Sequence, residues 1–159
     1  MSVDRTPMPM RENLVLRVVA GILGPFILLF ALYVQFHGDF GPGGGFQAGV
    51  VFAAGLILYA LIFGLEALRR LVPPGVLERV MAIGVLLYGG VGVVTLLLGG
   101  EFLDYDVLAN ESGQHWGIFL VELGVGITVA GTMATLFFHF AGYWEQANRE
   151  GDGPPGGGG

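Results

Sequence analysis

One carboxylate in this chain stands where a carboxylate is costly. Glu122 lies in WGIFLVELGVGITVAG, inside an apolar run from about Trp116 to Phe140. That is about one and a half to two helical turns from the nearer end of the run. An acid at such depth in a membrane helix usually faces a protein interior or an aqueous path. Two chemistries suit it. It binds a cation or a proton, or it is protonated or paired with a polar group of a neighbouring helix as pure structure. The remaining polar residues say less. Gln47 sits in the first turn of another apolar run, and His139 near the end of the last one. Glu66 has the spacing for an ion pair with Arg69 or Arg70, one that water would solvate. Thr128, Thr132 and Thr135 are placed to bond back to their own helix carbonyls.

A second cluster is QFHGDFGPGGGFQAG, residues 35–49. Gly43, Gly45 and Ala48 imitate a G-x-G-x-x-A phosphate loop. A dinucleotide fingerprint needs a strand before it and a βαβ unit around it, and a P-loop needs its lysine. Here an apolar span precedes the loop and the lysine is missing. His37 and Asp39, even with His115 added, lack the paired spacing of a zinc site. A structural turn fits better. Pro42 stops a helix, and the glycines after it let the chain reverse and start the next helix. The free N–H groups at that helix start need acceptors.

The elements that must position these residues follow from composition. The chain has 159 residues, 53% of them hydrophobic and only 13% charged, against about 25% charged in soluble domains. Its mean hydropathy is +0.71. With no cysteine, disulfides and thiolate chemistry are excluded. A net charge of −6 excludes a basic surface for nucleic acid. No cofactor motif and no reactive cluster of a stand-alone enzyme is present. Four runs reach the ~20 residues a membrane helix needs: about Leu14–Phe36, Phe46–Leu65, Val80–Leu98 and Trp116–Phe140. The expected fold is therefore all-α, an integral membrane protein with four transmembrane helices. Residues 1–13 form an N-terminal segment, 14–141 the membrane domain, and 142–159 a disordered, glycine-rich tail. All seven basic residues are arginines, at 5, 11, 17, 69, 70, 79 and 149. The positive-inside rule then puts both termini and the 66–79 connection in the cytoplasm. The 37–45 loop and the acidic 99–115 segment face outward.

Small residues recur at helical spacing: Gly45, Gly49 and Ala53; Gly84, Gly92, Thr95 and Gly99, with the pair Gly89–Gly90; Gly124, Thr128, Gly131 and Thr135. In lipid, small residues let helix backbones approach closely. The stripes serve a compact four-helix bundle or the faces of neighbouring subunits. Pro25 should bend the first helix.

FHGDFGPGGGFQAGVVFAAGLILYAL resembles the signature segment of the MnhB-type small subunit of the multisubunit Na+/H+ antiporters, the Mrp or Mnh type. The matching positions are His37, Gly38, Pro42, Gly43, Gly44, Gly45 and Phe46, with Gln47 and Gly49 after them. IFLVELGVGITVAGTMATLF is similar to the family's last segment, with Glu122 at its acidic position followed by Gly124 and Val125. The spacer Asp39-Phe40-Gly41, and Glu rather than Asp at 122, depart from the usual pattern. The resemblance implies a small subunit without independent activity, in the plasma membrane, packed among other subunits that exchange Na+ for H+. It implies no cofactor. An alternative host is a related membrane-bound hydrogenase.

Overall fold

The computed structural model describes residues 14–38, 43–103 and 110–151. These form five helices: α1 Leu14–His37, α2 Gly45–Phe63, α3 Leu65–Leu71, α4 Pro74–Leu97 and α5 Asn110–Gly151. No strand occurs among the described residues. α1, α2, α4 and the His115–Trp144 stretch of α5 are each long and apolar enough to cross a membrane. On α5, Trp116 and Tyr143 are both exposed. They are 27 residues apart (143 − 116), or about 40 Å of helix. That matches the thickness of a bilayer with its headgroup regions, where exposed aromatic rings gather.

The spans do not close into a square bundle. α1 packs on α2, α2 on α5, and α5 on α4, with α1 and α5 touching only lightly. The spatial order is thus α1–α2–α5–α4. The outer helices show it: 11% of the α1 span and 17% of the α4 span are buried, against 39% for α2 and 28% for α5. One face of α1 is left almost bare, from Val15 and Ile22 to Phe26 and Tyr33.

α1 is one continuous helix that contains Pro25. Two helices differ from expectation at their ends, each for a local reason. α4 begins at Pro74, six residues early, because proline suits the first turn, where its missing N–H is not needed. α5 starts before Trp116 and continues to Gly151, so it takes in residues 142–151. Extending a formed helix adds one bond per residue fixed, and AGYWEQANRE contains many good helix formers. The rest of the expected tail lies outside the described residues.

α3 is an element that hydropathy does not reveal. Gly64, at φ 100, breaks α2, and one short amphipathic helix follows. Leu65 and Leu68 turn inward, joining Leu56, Ala60, Leu77, Ala134 and Phe138 in one core at this end of the molecule. Arg70 and Glu66 stay in solvent 3.6 Å apart, a pair of little energetic weight. Arg17 lies at this same end, 5.8 Å from the centre of the Phe63 ring.

Candidate functional site

The opposite end is built without such side chains. α2 starts at Gly45 with Gly44 as its cap, at φ 136 and with no side-chain hydrogen bond to the helix. A left-handed φ of this kind suits glycine alone. α5 runs against this start so closely that a Cβ on Gly45 would fall on the Glu122 carbonyl. One turn further, a Cβ on Gly49 would stand 2.6 Å from the Gly126 carbonyl oxygen and 2.9 Å from Val129 Cβ. Two backbones thus touch with nothing between them, as small residues permit. Ala53, 1% exposed, continues the same face of α2.

The Glu122 side chain enters the resulting gap. A Cβ on Gly38 would stand 2.5 Å from Glu122 Oε2, and one on Gly44 would stand 3.1 Å from Oε1. The carboxylate thus lies beside Gly38 and Gly44, while Gly45, the first residue of α2, lies against the Glu122 main chain. The N–H groups of a first helical turn have no partner within the helix. The helix dipole adds partial positive charge there. A carboxylate suits both.

The sequence treats Glu122 and the glycine loop as two features with separate jobs. In three dimensions they are one site. The Gln47 side chain reaches it too, its Oε1 lying 3.6 Å from the Cβ position of Gly44. Gly43 lies against Val34 of α1. Phe46 is 56% exposed and points away. His37, also exposed, stacks on Tyr33 at 5.2 Å. Pro42 and Asp39 lie outside the described residues. Phe36 stacks on Phe119 at 5.6 Å, and Trp116 meets Phe119 edge-on, so rings flank the mouth between α1 and α5. His139 is exposed near the other end of α5. No group of three metal-ligating side chains occurs among the described residues.

The second stripe of α5 faces α4. A Cβ on Gly124 would stand 2.8 Å from the Gly84 carbonyl oxygen, and one on Gly131 would stand 2.5 Å from Met81 Cγ. Thr128 and Thr132 donate to the carbonyls of Gly124 and Thr128, at 2.8 and 2.7 Å. The glycines on these faces therefore serve contacts within the chain. Gly24, Gly89 and Gly90 face open space.

Sequence reasoning missed Gln35. It is 5% exposed, and its side-chain oxygen occupies the space a Cβ on Gly126 would need. Its Nε2 is buried with no hydrogen-bond partner among the described residues, a state that costs about 1–3 kcal/mol. The signal was a polar residue in the last turns of an apolar span, four positions after the buried Ala31. Thr95, a member of the small-residue stripe of α4, has a further role. Fully buried, it donates to the Gly92 carbonyl at 2.8 Å and accepts from the Leu103 N–H at 3.0 Å. It thereby ties down the turn after α4.

Residues 15–135 match the family described as "Domain related to MnhB subunit of Na+/H+ antiporter". The chain belongs to this MnhB family. Its curated relatives include the "Putative antiporter subunit mnhB2" of Staphylococcus epidermidis, 33% identical over 140 residues. That match covers 84% of this chain and 98% of the relative. The protein of the same name in Staphylococcus haemolyticus is 30% identical over 143 residues, with the same coverage. That of Staphylococcus aureus strain Newman is 32% identical over 139 residues. The match to the MnhB family spans α1 to α5, and so includes both halves of the Glu122 site.

Proposed function

We propose that this chain is a small membrane subunit of a multisubunit Na+/H+ antiporter and that Glu122 is a cation- or proton-binding group of that complex. One observation carries the reading: the Glu122 carboxylate sits among glycines at the meeting point of α1, α2 and α5. It lies seven residues (122 − 115) inside the apolar stretch that starts at His115, or about 10 Å of helix. Among the described residues of the 38–45 segment, Gly38 and Gly44 stand beside its oxygens. The chain works with other subunits in the plasma membrane and is not itself an enzyme. The arginine distribution supports cytoplasmic termini, with the Glu122 site toward the outer face.

A second reading rests on the missing side-chain cap of α2. The carboxylate would then replace that cap and lock α5 to the loop, with no part in transport. Glu122→Gln separates the two. The amide keeps the shape and an acceptor oxygen but carries no charge and exchanges no proton. The ion-binding reading predicts a complex that assembles normally with Na+/H+ exchange lowered at least roughly tenfold, as for loss of an essential proton-transfer group. Normal exchange by assembled Glu122→Gln complex would leave only the capping role, and Glu122→Ala would then lose assembly.

A further inference from the structure

Between α1, α2 and α5, with Val80 of α4 also in its lining, lies a half-open cavity of about 220 Å3. Its floor is α2 around Gly49. Its walls are Leu32 and Gln35 of α1 and the Leu123, Ile127 and Ala130 stripe of α5. Residues 123–130 span about 10 Å, or two turns. Every side chain lining the cavity is apolar except Gln35. That residue is also the one whose buried Nε2 lacks an acceptor.

We propose that this cavity seats a transmembrane helix of another subunit, and that the helix presents a hydrogen-bond acceptor to Gln35 Nε2. The proposal rests on the subunit reading above. Three occupants can be compared by chemistry. Water has the volume for about seven molecules at ~30 Å3 each, yet a buried water needs two to four polar partners. One amide cannot hold such a cluster. A lipid acyl chain matches the apolar walls and leaves the amide donor unpaired. A helix with an apolar face and one Ser or Thr hydroxyl, or one side-chain amide carbonyl, meets both demands. Polar side chains hydrogen-bond across helices in this way inside membranes. Nε2 is enclosed by the protein as it stands, so pairing requires the amide to turn toward the cavity, which the broad, soft last torsion of a glutamine allows without moving α1. The light contact between α1 and α5 leaves the seat accessible from the side.

The experiment uses the assembled complex in native membranes. A photoreactive benzoylphenylalanine replaces Leu32, whose side chain is 47% exposed at the rim. The expected product is a cross-link to a spanning helix of another antiporter subunit, mapped by mass spectrometry within one turn of a Ser, Thr, Asn or Gln. Cross-links only to lipid, or to a second copy of this chain, overturn the proposal. Gln35→Leu is expected to lower recovery of the intact complex in detergent roughly 3- to 20-fold, the range for one interhelical hydrogen bond. Unchanged recovery counts against the seat. Leu32→Trp fills the rim without touching the core and should also displace the helix. Co-purification with antiporter subunits alongside lipid-only cross-links sinks the seat and leaves the subunit reading standing. Failure to co-purify with any antiporter subunit sinks both.

Discussion

The two ends of this molecule are held together by opposite means. At the arginine-bearing end, Leu65 and Leu68 of α3 fill the space between α2, α4 and α5, and Phe138 completes a core of side chains. At the Glu122 end, α2 and α5 meet backbone to backbone through Gly45, Gly49 and Gly126. The first arrangement tolerates repacking, because neighbouring side chains can shift into new rotamers. The second tolerates little at Gly45 and Gly49, because the nearest atom that a new Cβ would strike is a main-chain oxygen. It is also the end where glycines lie against an acid, Gly38 and Gly44 standing beside the Glu122 carboxylate oxygens.

The contrast can be broken most severely at Gly45. Gly45→Ala places a methyl on the Glu122 carbonyl and forces α2 from α5. The expected result is loss of a monodisperse protein in detergent, read by size-exclusion chromatography. A well-behaved Gly45→Ala protein would show that this contact is not close. Leu68→Ala probes the other end. Leu68 is 0% exposed, and a buried leucine truncated to alanine costs roughly 2–5 kcal/mol. The protein should still assemble, with its thermal transition in detergent lowered. Next in size is Thr95→Val, which removes the hydroxyl that holds the Leu103 N–H. About 1–2 kcal/mol is expected, with faster amide exchange at the turn after α4. The smallest effect has the opposite sign. Gly89 faces open space within α4, so Gly89→Ala should stabilise by roughly 0.5–1 kcal/mol through helix propensity. A destabilised Gly89→Ala variant would mean that a partner's backbone approaches there in the complex.

Much of the architecture is legible from one sequence because hydropathy acts locally. Each span satisfies its own backbone hydrogen bonds, so a run of about 20 apolar residues becomes a helix whatever surrounds it. The ends are harder. α3 and the extension of α5 depend on Gly64 and on helix-forming polar residues, which carry no hydropathy signal. The stripes could be seen but not their partners. Gly49 and Gly131 have the same spacing logic, yet one meets α5 and the other meets α4. Glu122 stood out because an acid in an apolar run needs a reason. Gln35 did not, since a neutral amide near a span end is easily taken for an interfacial residue. Its burial comes from Gly126, 91 positions away (126 − 35).

The sequence by itself determined that this is a four-span all-α membrane chain with an acid inside its last span and a glycine loop after its first. Composition and local hydrogen bonding suffice for that. Only the tertiary structure decided that the loop and the acid form one site, that the helices run in the order α1–α2–α5–α4, and that Gln35 Nε2 is buried with no hydrogen-bond partner among the described residues. In lipid, apolar faces have no preference between a neighbouring helix and an acyl chain. Pairing therefore rests on which backbones can approach within van der Waals contact, and that property exists only once two helices are in place.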